Sequence, residues 1–194
     1  MGKSIEHLKQ KNDIAGLVKL LGAKNFETES VDALVEIGAP AAEAVVEKLV
    51  NATNMSVFFK AFLAVTRIGE PCVAALIKHL NQSQTLNRGA VASALGNISR
   101  SVKDQTVIIS MLTPLLSAFN DPNQDVKKAI AEALGDVGSQ LTLSNQRDQL
   151  SEALEYRMTA ADPVVREAIS AALEKMGRKA SQVGAESDRS RPFV

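Results

Sequence analysis

The sequence predicts an all-α domain, a right-handed α-α superhelix built from about five helical hairpins. Three observations predict it: one short pattern recurs five times, a helix-spaced apolar stretch precedes every copy, and the composition suits closely packed helices. Hydrophobic residues make up 45% of the 194 residues, and aromatic residues only 4%. A hairpin of this size cannot bury its apolar stripe alone, so each one must stack on a neighbour.

The recurring pattern is an eight-residue segment with a central alanine, an apolar residue just after it, and a small residue at its end. The five copies are Val31–Gly38, Phe62–Gly69, Ala92–Ser99, Ala131–Gly138 and Ser170–Gly177. Their central alanines are Ala33, Ala64, Ala94, Ala133 and Ala172, which gives steps of 31, 30, 39 and 39 residues. The apolar positions fall on one face of a helix. Four copies end in glycine, which favours a helix end because glycine enters the left-handed region without steric cost.

A second predicted helix precedes each copy. These helices span about 13–22, 40–50, 71–80, 105–120 and 145–160. Pro40 and Pro71 follow the glycines of the first two copies at the same offset, and proline is favoured in a first helical turn. The hairpin units are therefore expected at about 13–38, 40–69, 71–99, 105–138 and 145–177.

Two aspartate-proline pairs predict the starts of the last two second helices. Asp121 and Asp162 each precede a proline, and we expect each aspartate to be the N-cap of its helix. Gln124 lies three residues after Asp121, as in a capping box.

The two ends of the chain fall outside the repeat pattern. Residues 1–12 carry no copy of it, and residues 178–194 form a polar, aperiodic tail that we expect to be mobile. The repeat domain is therefore expected to span 1–177.

The repeated stretches resemble HEAT repeats, an armadillo-type fold, and in particular the phycobilisome-lyase-type HEAT-like repeats. The residues that carry the resemblance are 37–40 (Ile-Gly-Ala-Pro), 68–71 (Ile-Gly-Glu-Pro), 121–138 and 162–177. The resemblance implies a noncatalytic protein-protein interaction scaffold whose second helices line a concave surface. It also implies an alternative, a bilin lyase or a bilin-handling chaperone.

Charge and hydropathy argue against nucleic acid and membrane as partners. Lys plus Arg number 22 and Asp plus Glu number 22, so no net charge attracts nucleic acid. No apolar run approaches the roughly 20 residues that span a bilayer, and the first residues lack the apolar stretch of a signal peptide. We therefore expect a cytoplasmic protein whose partner is another protein, with no nucleic acid and no membrane.

Three residues carry side chains that could bind a metal or act as a nucleophile. His7 and His79 are the two histidines, and neither is followed by glutamate as in di-iron HEAT-like enzymes, so no metal or other cofactor is expected. Cys72, the one cysteine, lies at a helix start, where the helix dipole lowers a thiol pKa. It aligns with Ala41, however, which favours a packing role, and no catalytic residue is predicted.

Four large apolar side chains predict a docking site on the second helix of the second unit. Phe58, Phe59, Phe62 and Leu63 occupy positions that hold small or charged residues in later units. If they are exposed, they would anchor a partner protein or helix. The alternative is that a shift in register turns these rings into the core.

A second candidate surface is basic. Arg88, Lys127 and Arg166 occupy one equivalent position in units three, four and five. They would form a ladder along the concave side that attracts an acidic segment. The alternative is that each contacts an acidic turn of the neighbouring unit.

Overall fold

A computed structural model describes residues 5–23, 28–82 and 86–177, so the tail 178–194, predicted to be mobile, lies outside the described residues. The described residues form α-helices and two 3-10 turns, with no strand, and the all-α prediction is confirmed. The helices are Ile5–Gln10 (α1), Ile14–Leu20 (α2), Glu29–Ile37 (α3), Ala42–Val50 (α4), Met55–Ile68 (α5), Val73–Leu80 (α6), Arg88–Ser99 (α7), Gln105–Ala118 (α8), Gln124–Ser139 (α9), Ser144–Met158 (α10) and Pro163–Lys175 (α11).

From α2 onward the helices alternate between two layers. The first helices of the pairs are α2, α4, α6, α8 and α10, and the second helices are α3, α5, α7, α9 and α11. Each helix contacts its partner in the pair, and each second helix contacts the next second helix along the chain. Helix α1 packs on α2 and α3 and buries Leu8, so part of the segment that carried no repeat pattern is helical.

The core is one continuous row of aliphatic side chains between the two layers. Its largest members are fully buried leucines and isoleucines with one methionine: Leu17, Leu21, Leu34, Leu49, Leu76, Leu80, Leu95, Ile98, Ile108, Met111, Leu115 and Ile130. Small residues fill the space between them, as the alanine-rich composition predicts. Each pair therefore contributes one layer of the core and needs the adjacent layer to cover it.

The last three second helices approach each other almost to backbone contact. A Cβ atom added to Gly96 of α7 would lie 3.0 Å from the Ala133 Cα of α9. The same contact recurs 39 residues later, where a Cβ on Gly135 would lie 2.7 Å from the Ala172 Cα of α11. The first helices of these units contact each other less than the second helices do.

Glycine ends some of the helices as predicted. Gly38 and Gly69 have φ values of +68° and +78° and follow α3 and α5 directly. The chain then makes a single 3-10 turn, Ala39–Ala41 or Glu70–Cys72, that contains the predicted proline. Gly177, with a φ of +81°, lies just beyond α11.

Gly138 does not stop its helix, and that prediction was wrong. It lies within α9, which continues to Ser139, and it is buried. A Cβ there would collide with the Met176 side chain and lie 2.8 Å from Leu150 Cδ2. Close packing against α10 and the end of α11, rather than helix termination, explains this glycine.

One of the two predicted N-caps is confirmed. The Asp162 side chain accepts a hydrogen bond from the Val165 amide at 2.9 Å, and Pro163 is the first residue of α11. At α9 the N-cap is Asn123, which accepts from the Asp125 amide at 2.8 Å. The prediction of Asp121 as the cap was therefore wrong.

Asp121 does not cap α9 because other groups hold its carboxylate. Its Oδ1 accepts from the Asn123 amide at 2.8 Å, and its Oδ2 pairs with the Arg88 guanidinium of α7. Asp121 is only 7% exposed. The predicted capping box with Gln124 is therefore absent, and Gln124 is simply the first residue of α9.

Candidate protein-binding surfaces

Helix α5 carries an exposed apolar stripe. The helix begins at Asn54, whose side chain accepts from the Ser56 and Val57 amides at 2.9 and 3.3 Å. Met55, Phe59 and Leu63 follow at intervals of four residues, which places them on one helix face. They are 65%, 59% and 46% exposed. We call these three residues the α5 stripe.

The four apolar residues singled out in the sequence divide into two pairs. Phe59 and Leu63 belong to the exposed stripe, whereas Phe58 and Phe62 are half-buried and pack against the core. The Phe58 ring stacks on Phe62 with 6.3 Å between centroids and meets Phe59 edge-on at 5.6 Å. The half-buried Phe58 ring therefore contacts both the exposed Phe59 ring and the Phe62 ring.

Two members of this surface were missed in the sequence. Met55 lies four residues before Phe59, and this spacing was a usable signal. Leu86, 67% exposed, comes from the connection before α7, and no pattern in the sequence marks it. Together with Phe58 these residues line an open groove of about 510 Å³.

The three basic residues differ in their surroundings. Arg88 forms an ion pair with Asp121, and the two side chains are only 15% and 7% exposed. Arg166 is exposed and donates to the Ala161 carbonyl at 3.0 Å. Lys127 is half-buried, and no carboxylate of the described residues lies within salt-bridge distance of it. The structure thus gives Arg88 an internal partner and places Lys127 beside a cavity.

Cys72 is fully buried among core side chains. Burial raises the pKa of its thiol from the ordinary value of 9.0 to about 12, because an apolar surrounding disfavours the charged thiolate. The helix start therefore does not lower this pKa, and Cys72 has the character of a packing residue.

The raised pKa predicts a specific loss of stability at high pH. The unfolded thiol ionises above pH 9, whereas the folded thiol stays neutral until about pH 12. The contribution of Cys72 is thus complete below pH 9 and falls above it, by at most about 1.4 kcal/mol per pH unit. We expect the free energy of unfolding in urea to fall less between pH 8 and pH 10 in Cys72→Ala than in the unchanged chain. Equal losses in the two proteins would contradict the assignment.

The described residues contain no group of three or more His, Cys, Asp or Glu side chains that could hold a metal ion. Among the same residues, no helix combines the length and apolar character needed to cross a membrane.

The stacked helix pairs define the fold: the described residues form a helical-repeat solenoid. Residues 111–141, which cover most of α8 and all of α9, match the HEAT repeat family. This agrees with the resemblance seen in the sequence and confirms the predicted superhelix. No curated protein sequence is significantly similar to the chain.

Solved structures share the fold at low sequence identity. The complex of CpcE and CpcF of phycocyanin lyase from Nostoc sp. PCC7120 contains a chain that is 20% identical, with a TM-score of 0.58; the match covers 84% of this chain and 98% of that one. A designed armadillo repeat protein in complex with the peptide (KR)4 is 20% identical, with a TM-score of 0.53 and coverage of 89% and 85%. Computationally designed armadillo repeat proteins for modular peptide recognition give 22% identity, a TM-score of 0.52 and coverage of 88% and 85%.

Proposed function

We propose that this protein is a noncatalytic scaffold that binds another protein through the α5 stripe. The observation that carries the proposal is the exposure of Met55, Phe59 and Leu63 on one face of α5. Large apolar side chains grouped on the surface of a protein mark interaction sites, and aromatic anchors contribute most of the binding energy. We further propose that residues 1–177 act as one repeat domain and that the protein works in the cytoplasm, where its single cysteine stays reduced.

The geometry of the stripe favours a helical or extended segment as the bound element. Phe59 is held by the Phe58 ring, which is itself packed on the core, so the anchor loses little conformational freedom on binding. The groove beside Phe58 and Leu86 offers a place for an apolar side chain of the partner. The structural relatives bind peptides or a second subunit, and their fold suits the same kind of role here.

The test is a double substitution of the stripe, Phe59→Ser with Leu63→Ser. Because both side chains are largely exposed, we expect the free energy of unfolding to change by less than about 1 kcal/mol. We expect loss of the proteins that the unchanged chain captures from its native host, measured by quantitative mass spectrometry. Val164→Ser is the matched control, since Val164 is 51% exposed on α11 and lies outside the stripe.

Two results would argue against this docking surface. One is capture of the same proteins at the same abundance by the double variant. The other is loss of capture by Val164→Ser to the same extent, since this would indicate a general dependence on apolar surface. The pair Phe58→Ser and Phe62→Ser does not serve as the test, because both rings pack on the core and their loss would lower the melting temperature.

A second candidate function, attachment or handling of a bilin, is supported by the fold shared with the phycocyanin lyase chain. Incubation of the purified protein with phycocyanobilin and an apo-phycobiliprotein separates the two functions. A covalent adduct or a shifted absorbance band would favour the lyase, and an unchanged spectrum would favour the scaffold.

A further inference from the structure

The internal repeat places a lysine with no carboxylate partner among the described residues where the preceding unit has an ion pair. Arg88 of α7 pairs with Asp121, 33 residues further along the chain. A step of one 39-residue repeat carries Arg88 to Lys127 and Asp121 to Ala160. The cation is kept at this junction, whereas the carboxylate is replaced by a methyl group.

The equivalence of the two junctions is structural as well as sequential. The close contact of Gly96 with Ala133 recurs as the contact of Gly135 with Ala172, at the same 39-residue step. Helix α9 therefore sits against α11 as α7 sits against α9, in the same register. Lys127 and Ala160 both line one cavity of about 320 Å³ between the fourth and fifth units.

The charges around this cavity favour an anion. Arg157 is held beside it, with its guanidinium 5.7 Å from the Phe119 ring centroid and a donor 2.9 Å from the Ala153 carbonyl. Asp162 is the one carboxylate that lines the cavity among the described residues, and it accepts from the Val165 amide as the N-cap of α11. Lys127 is thus left without a counter-charge within salt-bridge distance in the described part of the chain.

We propose that this cavity binds a carboxylate side chain from an acidic segment of a partner protein, which pairs with Lys127 as Asp121 pairs with Arg88. The volume suits one or two side chains rather than a large ligand. The lining is partly apolar, through Phe119, Ala161 and Val165, which suits a peptide better than a bare phosphate. The chain as a whole has no net charge that would gather a polyanion.

The cavity shares no residue with the α5 stripe, so either binding surface can be tested without the other. The probe is a fluorescein-labelled peptide of alternating glutamate and alanine, and its control carries glutamine in place of every glutamate. We expect fluorescence anisotropy to report binding of the glutamate peptide and not of the glutamine peptide. Lys127→Ala should weaken binding about tenfold, the loss of one charged hydrogen bond.

The decisive variant is Ala160→Asp, which supplies the missing carboxylate from within the chain. Ala160 is exposed, so the substitution leaves the core intact. We expect it to weaken peptide binding about as much as Lys127→Ala does, because the new carboxylate forms the ion pair with Lys127 in place of the peptide. Lys103→Ala, which removes an exposed lysine outside the cavity, should leave binding unchanged.

Three outcomes would overturn the proposal. The first is no binding of the glutamate peptide by the unchanged chain up to ~1 mM. The second is equal affinity for the glutamate and glutamine peptides. The third is equal effects of Lys127→Ala and Lys103→Ala. A lack of effect of Ala160→Asp, in a protein with an unchanged melting temperature, would also overturn it.

Discussion

Replacement of Asp121 by asparagine is expected to lower the free energy of unfolding by about 3 kcal/mol, because it leaves the Arg88 guanidinium buried without its counter-charge. Arg88 and Asp121 are 15% and 7% exposed, so water compensates little for the lost carboxylate. Asparagine keeps the shape of the side chain and can still accept from the Asn123 amide. The loss of unfolding free energy therefore measures the effect of removing the negative charge. Urea unfolding followed by circular dichroism measures it.

The matched control for this prediction is Asp32→Asn. Asp32 pairs with Arg67 at 2.6 Å, but the two side chains are 50% and 45% exposed. An exposed pair contributes less than about 1 kcal/mol, so this variant should be nearly neutral. Addition of Arg88→Met to Asp121→Asn should restore part of the lost stability, because it removes the stranded charge. Similar losses of unfolding free energy for Asp121→Asn and Asp32→Asn would show that burial of the Arg88–Asp121 pair does not increase the cost of breaking it.

The second large effect is expected at Gly135, where alanine should cost about 2 kcal/mol of stability or more. The added Cβ would lie 2.7 Å from the Ala172 Cα and 2.8 Å from the Ala172 Cβ. Backbone atoms of α11 cannot move away by a change of rotamer as a side chain can. Helices α9 and α11 must therefore separate. This cost exceeds the roughly 1 kcal/mol that alanine gains over glycine inside a helix. Chemical unfolding measures the difference.

Gly89→Ala is the control for the Gly135 prediction. Gly89 also lies in a second helix, α7, but the nearest atom to an added Cβ is 3.7 Å away. This substitution should be neutral or stabilising by up to about 1 kcal/mol. A combination of Gly135→Ala with Ala172→Gly should recover only part of the lost stability, because it removes the Ala172 Cβ at 2.8 Å but leaves the Cα at 2.7 Å. A Gly135→Ala protein as stable as Gly89→Ala would contradict the close approach.

The architecture was predictable because it depends on features that repeat. The spacing of the central alanines and the apolar stripes locate the helices, and Gly38 and Gly69 mark true helix ends. The details that failed depend on contacts between distant residues. Asp121 resembles an N-cap locally, but Arg88 holds it from 33 residues earlier in the chain. Gly138 resembles a stop signal, but the side chain of Met176 requires the space.

The candidate surface was only half predictable for the same reason. The four-residue spacing on α5 identifies an apolar cluster, but exposure depends on which side of α5 packs against its neighbours. Phe58 and Phe62 face the core, whereas Phe59 faces outward. Leu86 reaches the same surface from a connection with no periodic pattern. The difference between Arg88 and Lys127 likewise depends on residues 121 and 160, which lie in turns between helices.

The glycine contacts between second helices have a mechanical consequence. They join α7, α9 and α11 nearly backbone to backbone, whereas Thr66 stands at the equivalent position of α5, and α5 touches α7 far less. In a solenoid each unit is coupled only to its neighbours, so thermal bending should be smaller at the two glycine contacts than at the junction between α5 and α7. The carboxyl-terminal three units should therefore move as a stiff body, with α5 flexing against it. A ligand that binds both α5 and the carboxyl-terminal three units would contact two regions whose separation varies. Its binding would restrict that motion and would therefore cost conformational entropy.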